Sequence, residues 1–231
     1  MSMGQQLADF LGLKRTPVAV TFMAAAPANV PRVSAAEPSS CTYWKRASDG
    51  QTFYTETADQ LNCPIGAYTH GVDMPPAQQA ELQAVVKTMV GLGYLRMEEV
   101  PNIPRRASRF GVAVYAPLDR ASGPADIVLV CGNAKQIMLL EEAAQAAGCG
   151  GGAALMGRPT CAALPAAMLT QRGVASLGCI GNRVYTDMAD DELYYALPGK
   201  HLAAVVGKLA AIVNANRELE KYHRARIPAK V

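Results

Sequence analysis

The chain lacks the compact cysteine motifs that mark most metal sites. It has six cysteines but no C-x-x-C pair, no C-x-x-C-H haem attachment, no H-E-x-x-H and no Walker A loop. A C-x-x-C turn directs two sulfurs at one ion, so local zinc sites usually contain one. Cysteine spacing alone is therefore a weak signal for metal here, and any metal site would have to draw its ligands from distant parts of the chain.

Charge and long apolar runs are also scarce. Only 18% of the residues are charged and the net charge is +3, which is too small to indicate a nucleic-acid partner. No apolar run approaches the roughly 20 residues that span a bilayer. The first residues also lack the basic start and apolar core of a signal peptide. We therefore expect a cytoplasmic protein that binds neither nucleic acid nor membrane, in a compartment where disulfides rarely persist.

Hydrophobic periodicity predicts a mixed α/β fold with a long C-terminal helix. The predicted helices are residues 2–12, 77–92, 134–147 and 200–223, and the predicted strands are 17–22, 52–55, 112–115, 126–131 and 192–196. We expect the helices at 77–92 and 200–223 to cover the sheet. The basic segment 101–109 contains two prolines and is the best candidate for an internal boundary.

Four cysteines lie in short loops shaped by glycine or proline or next to a predicted helix start. They are Cys41, Cys63, Cys161 and Cys179. Pro64 follows Cys63, and proline is favoured at the first position of a helix, so Cys63 is predicted to cap one. Such loops expose backbone N–H groups, which is the environment that iron–sulfur clusters require.

These observations predict an iron–sulfur cluster, of the [4Fe–4S] type, bound by those four cysteines. Four thiolates leave such a cluster negatively charged, so we expect Lys45, Arg158 and Arg183 to compensate it. Shared binding of a cubane requires the four sulfurs to lie within about 7 Å of one another. The expected role is electron transfer, or redox or sulfur chemistry, with a redox partner or a small-molecule substrate and with a homodimer as one form of assembly.

Two other interpretations of the cysteines remain open. In the first, a cofactor-free enzyme uses Cys161 or Cys63 as a nucleophile with a lowered pKa, and of His70, His201 and His223 only His70 lies in a cysteine loop. In the second, structural cysteines surround a pocket that binds a small ligand. Of the two remaining cysteines, Cys131 is predicted to be a core residue, whereas Cys149, in a flexible turn over residues 149–152, is expected at the surface.

The two halves of the chain resemble each other. Each half contains a strand, two loop cysteines and then a helix with an apolar stripe, and Cys63-Pro-Ile-Gly-Ala-Tyr-Thr is similar to Cys179-Ile-Gly-Asn-Arg-Val-Tyr-Thr. We therefore predict a single domain built from two pseudo-repeats, at about residues 10–100 and 110–226. A pseudo-twofold fold would bring equivalent cysteine loops to a common seam.

The cysteine motifs also resemble those of the domain of unknown function 169 family of bacteria and archaea. The motifs that carry the resemblance are Cys41-Thr-Tyr-Trp-Lys-Arg-Ala, Asn62-Cys-Pro-Ile-Gly-Ala-Tyr, Gly157-Arg-Pro-Thr-Cys-Ala-Ala-Leu-Pro and Leu177-Gly-Cys-Ile-Gly-Asn-Arg. The similarity runs from about residue 10 to residue 226. It implies that Cys41, Cys63, Cys161 and Cys179 are the motif cysteines, and it implies no substrate because the family is largely uncharacterised.

Overall fold

A single sheet of seven strands runs through the whole protein. The computed structural model describes residues 1–35, 37–151 and 155–227, with Leu155 described by its backbone alone. The strands are β1 Val18–Met23, β2 Phe53–Glu56, β3 Val112–Pro117, β4 Ile127–Asn133, β5 Leu155–Met156, β6 Val174–Ser176 and β7 Glu192–Pro198. Their order in the sheet is β2-β3-β1-β4-β7-β6-β5, and every pairing is antiparallel except that of β5 with β6.

Eight α-helices surround the sheet in the part of the chain that the structure describes. They are α1 Met3–Leu11, α2 Ser40–Ser48, α3 Pro64–His70, α4 Pro76–Gly91, α5 Ala134–Ala146, α6 Ala163–Thr170, α7 Ile180–Thr186 and α8 Leu202–Arg224. The mixed α/β fold with a long C-terminal helix is therefore confirmed. Across the described ranges, no helix combines the length and the apolar character that crossing a membrane would require.

The helices form one layer on each face of the sheet. On one face, α1, α5 and α8 pack through an aliphatic core that includes Leu7, Leu140 and Leu209. On the other face, α2 and α6 pack through a core that includes Trp44 and Leu164 and that also contains two of the motif cysteines. The cysteine loops therefore belong to one face of the sheet only.

The expectation that the helix at 77–92 covers the sheet is wrong. None of the residues of α4 is buried, and the helix packs on α3 rather than on a strand. Its predicted apolar stripe is real, but Leu82, Val85, Val86 and Met89 are half-buried and line a cavity next to the cysteine loops. Periodicity identified the apolar face correctly, but it does not indicate what that face packs against.

The strand order crosses the predicted boundary between the two repeats. Counted outward from the β1–β4 pair, one side of the sheet presents β1, β3 and β2, and the other presents β4, β7, β6 and β5. β3 spans Val112–Pro117 and so falls in the predicted second repeat, yet it pairs with β1 and β2 of the first. A duplication of the chain stays a prediction. The segment 101–109 does not separate two sheets.

The C-terminal helix provides a matched test of this core. Leu209 is fully buried under α8, whereas Leu219 lies on the same helix with 55% of its surface exposed. We expect Leu209→Ala to lower the free energy of unfolding by about 2–5 kcal/mol, because it leaves a cavity between α8 and the sheet. Leu219→Ala should change it by less than about 0.5 kcal/mol. Urea denaturation measures both values, and equal losses would contradict the position of α8.

Candidate functional site

All four motif cysteines line one cavity of about 410 Å³. Cys41 comes from the first turn of α2, Cys63 and Cys179 from the N-caps of α3 and α7, and Cys161 from the 3₁₀ turn Thr160–Ala162 that leads into α6. The structure thus brings together residues that are up to 138 positions apart in the sequence, from Cys41 to Cys179. All six cysteines of the chain are free thiols.

Cys63 caps α3, as the sequence predicts. Its Sγ accepts a hydrogen bond from the backbone N–H of Gly66 at 3.3 Å, and Pro64 occupies the first helical position. Ser39 Oγ lies 3.9 Å from the same sulfur. Gly66 is required at this place, because a Cβ atom there would lie 2.3 Å from Ser40 Oγ. The glycine therefore allows α2 and α3 to approach each other with their cysteines at the cavity.

The Cys179 loop is held by polar contacts on both sides. Thr160 Oγ1 accepts a hydrogen bond from the backbone N–H of Cys179 at 2.6 Å, which connects this loop to the turn that carries Cys161. Arg183 donates to the carbonyl oxygens of Leu177 at 2.5 Å and Ala189 at 2.7 Å. These contacts determine the position of Cys179 without using its sulfur, which stays available to the cavity.

Burial and mutual repulsion keep the inner thiols protonated. Burial, with a smaller contribution from negative charge on Cys179 and Cys63, raises the pKa of Cys41 to about 12. Burial likewise raises the pKa of Cys161 well above its usual value, with Cys41, Cys63 and Cys179 adding to the effect. A metal or cluster would have to displace these protons, since thiolates are its ligands. The same shifts also make Cys41 and Cys161 poor nucleophiles at neutral pH.

Asn182 is the polar side chain that sequence reasoning missed. It lies on α7, lines the cavity and is 1% exposed, yet within the described chain neither its Nδ2 nor its Oδ1 has a hydrogen-bond partner. A hydrogen bond from this amide would stabilise a Cys41 thiolate and so lower the pKa of that thiol. Buried amide groups without partners cost free energy, so they indicate a position where a bound group completes the hydrogen bonding. The sequence signal that could have identified this residue is its place in the Gly181-Asn182-Arg183 part of a cysteine motif.

The three predicted cations have different surroundings. Arg158 lines the cavity and stacks on Tyr94, with its guanidinium 4.5 Å from the ring centre. Arg183 binds backbone carbonyls, and Lys45 pairs with Asp49 at 2.7 Å. Neither Arg183 nor Lys45 is among the described residues that line the cavity. Binding of a cofactor by these cations stays a prediction, and Arg158 is the one with access to the cavity.

Cys131 and Cys149 lie away from the cavity. Cys131 is buried in β4, as predicted. The expected surface position of Cys149 is wrong, since it is 1% exposed and packs in the aliphatic core below α5 and α8. The chain leaves α5 through Ala147 and Gly148 and passes inward, and a backbone hydrogen bond from Gly173 to the Cys149 carbonyl holds it there. Of the predicted flexible turn over 149–152, Gly152 lies outside the described residues.

The four thiols do not form a site for a single metal ion. In residues 1–35, 37–151 and 155–227, no group of three or more His, Cys, Asp or Glu side chains has the geometry to hold one ion. A tetrahedral ion would draw its thiolates to roughly 3.8 Å from one another, whereas a cubane binds each thiolate at a different iron and needs wider spacing, up to about 7 Å. The expectation that the four sulfurs lie within about 7 Å of one another stays a prediction. The four cysteines at the cavity supply thiols, the ligand type that iron–sulfur clusters use.

The comparison with protein families follows the same motifs. The model of the domain of unknown function 169 (DUF169) family, described as uncharacterised ArCR, matches residues 6–208. The chain belongs to this family. No curated protein and no solved structure matches it. Membership of the DUF169 family is thus confirmed, over slightly different limits from the predicted 10–226, and it indicates no reaction.

His70 does not reach the cavity of this DUF169 protein. It is fully buried, its Nδ1 lies 3.3 Å from Gln60 Oε1, and its ring packs edge-on to Phe22. Burial, and then the positive charge of Arg106, lowers the pKa of His70 to about 4. His70 is not one of the described cavity residues and so is a poor candidate for the base of a thiol enzyme.

The buried imidazole should make the stability of the fold depend on pH. In the unfolded chain His70 takes up a proton near pH 6.5, whereas in the folded protein its pKa is about 4. The stability that it contributes is therefore complete above pH 6.5 and is lost as the pH falls from 6.5 towards 4, by up to about 3 kcal/mol. Urea denaturation between pH 7 and 4 should show this loss in the natural protein and a smaller one in His70→Gln. The exposed His223→Gln is the control, and parallel curves for all three proteins would contradict this role of His70.

Proposed function

We propose that this member of the DUF169 family binds an iron–sulfur cluster through Cys41, Cys63, Cys161 and Cys179. The observation that supports the proposal most is that four thiols from four separate chain segments line one cavity. Core packing accounts for the burial of Cys41 and Cys161, which share a hydrophobic core with Cys131, but it does not explain why the half-buried Cys63 and Cys179 border the same cavity. Four cysteines are the usual ligand set of a [4Fe–4S] cluster, with one thiolate for each iron.

The surroundings of the cavity suit the negative charge that four thiolates bring. The backbone N–H of Gly66 already donates to Cys63, and the unpartnered Nδ2 of Asn182 can donate to sulfur. Arg158 adds a positive charge at the cavity. A bound cluster would supply one-electron chemistry, and the protein would set its reduction potential through these hydrogen bonds and through burial.

The cavity volume favours small-molecule chemistry over electron transfer alone. A volume of about 410 Å³ lies within the range of small-molecule sites, roughly 300–1,000 Å³. A pure electron carrier needs no chamber next to its cluster. A redox partner remains compatible with this function, because Ile180, Val184 and Tyr185 of α7 expose apolar surface on the helix that Cys179 caps. We also propose that the protein acts in the cytoplasm, where free thiols persist.

A cofactor-free thiol enzyme has less support. Its nucleophile would have to be a thiolate, but burial raises the pKa of Cys161 well above its usual value. The expected base, His70, lies away from the described cavity residues. A binding protein with structural cysteines remains the second candidate, since binding a small ligand requires only the cavity.

Iron content separates these functions. Protein purified without oxygen from iron-replete cells should be brown and contain about four iron and four sulfide per chain, because four thiolates complete one cubane. Separate Cys→Ala changes at positions 41, 63, 161 and 179 should each remove most of the iron. The matched controls Cys131→Ala and Cys149→Ala should keep it, since both thiols pack away from the cavity. A colourless, iron-free natural protein would overturn the proposal.

Asn182 offers a test of how the protein adjusts the cluster. A hydrogen bond from its Nδ2 to sulfur would stabilise the more negative, reduced cluster, so Asn182→Ala should lower the midpoint potential while the iron content stays the same. A redox titration followed by electron paramagnetic resonance measures the potential. Asn216→Ala, on the distant helix α8, is the control. An unchanged potential in the Asn182 variant would show that the amide does not contact the cluster.

A further inference from the structure

The cavity has a second lining that the cysteines do not explain. Its apolar part comes from Leu82, Val85, Val86 and Met89 of α4, together with Val100 and Ile103 from the segment that follows. Thiol ligands need no such surface. The four α4 residues occupy one stripe that spans eight positions, a length of about 10 Å for seven steps of 1.5 Å.

This apolar stripe lacks a complete protein partner. Each of the four α4 side chains is only half-buried, and no residue of the helix is buried. The helix packs on α3 and otherwise faces the cavity. Covering apolar surface at an open cavity with an apolar molecule lowers the free energy, because it removes that surface from water. The stripe therefore indicates a ligand with an apolar body.

Arg158 provides the charge that such a ligand would meet. Its guanidinium stacks on Tyr94, and its ion pair within the described chain is a long contact of 3.7 Å to Glu99. Glu99 is mainly engaged with Arg96, whose backbone N–H and guanidinium donate to it at 3.0 and 3.1 Å. The planar guanidinium of Arg158 therefore keeps donors for a further anion, and carboxylate is a group that matches its fork geometry.

Among the described residues, the other charged side chain at the cavity is Glu81 on α4. Both side chains are exposed to solvent, which screens their charges, and Arg158, with 41% of its side-chain surface exposed, is in addition held against the ring of Tyr94 at the cavity wall. The two residues allow the sign of the ligand charge to be tested. Loss of the glutamate charge should strengthen the binding of an anion and weaken that of a cation.

We infer that the cavity binds a small organic carboxylic acid, with its apolar body along the α4 stripe and its carboxylate on Arg158. This ligand would be the substrate class of the proposed cluster enzyme, and to that extent the inference rests on the proposed function. Asn182, whose amide is unpartnered, lies in the same cavity and offers the acid a second polar contact.

The experiment uses calorimetric titration of the protein, purified without oxygen, with straight-chain carboxylates of four to ten carbons and with phenylacetate. Each acid is paired with its neutral amide. We expect at least one acid to bind, with an affinity at least tenfold above that of its amide. Arg158→Gln should remove this preference, Arg158→Lys should keep part of it, and Glu81→Gln should increase it. Arg109→Gln is the matched control, because this arginine is exposed and its ion pair in the described part of the chain is with Asp73 at 3.1 Å.

Three results would overturn the inference. They are the absence of binding by every acid at millimolar concentration, equal binding of acids and amides, and an Arg158→Gln variant that keeps the preference while its thermal unfolding is normal. Repeating the titrations with Cys63→Ala, alongside iron analysis, separates this inference from the proposed cluster. If iron-free protein binds an acid, the result supports the ligand and not the cluster. If iron-loaded protein binds none of the acids, the result supports the cluster and not the ligand.

Discussion

The antiparallel pairing of β1 with β4 is the contact on which the cysteine site depends. It joins the two halves of the sheet through the pairs Val18 with Leu129, Ala19 with Val128 and Val20 with Ile127. In this register Val18, Val20, Ile127 and Leu129 face the core that contains two of the motif cysteines, while Val128 faces the core under α8. A shift by one residue would exchange these faces. The pairing therefore decides that the cysteine loops of both halves meet on one side of the sheet.

The site that results concentrates groups that repel one another when ionised. Four thiols border one space, and the burial that makes them structurally well defined also keeps Cys41 and Cys161 protonated. The protein surrounds them with N–H donors at the N-caps of α3 and α7, an unpartnered amide and one arginine. Such an environment favours negative charge once the protons of the thiols are displaced, and a cluster would use this property.

The position of α4 connects this chemistry to substrate access. A helix with a good apolar stripe normally buries it against a sheet or another helix. In this protein the stripe borders the cavity instead, and the helix is attached mainly through its neighbour α3, whose N-cap is Cys63. The same short helix thus positions a sulfur and supports the wall that a ligand would contact. Any ligand that packs on α4 therefore lies close to the thiols.

The sequence by itself determined the local elements and the choice of cysteines. Periodicity and the positions of glycine and proline identified the five longer strands, the long helix α8 and the cap at Cys63, because these depend on neighbouring residues alone. The short strands β5 and β6 escaped prediction because two or three residues carry no periodic signal. They form only because β7 offers an edge to which β6 can pair, and β6 then pairs with β5.

Only the tertiary structure decided what these elements meet. It placed α4 at the cavity instead of the sheet, Cys149 in the core instead of at the surface, and Asn182 beside Cys41 without a partner. It also separated Arg158, which reaches the cavity, from Arg183 and Lys45, which hold neighbouring backbone and side-chain groups. The physical reason is that burial and contact depend on residues far apart in the chain, and the pairing of β1 with β4 brings those residues together.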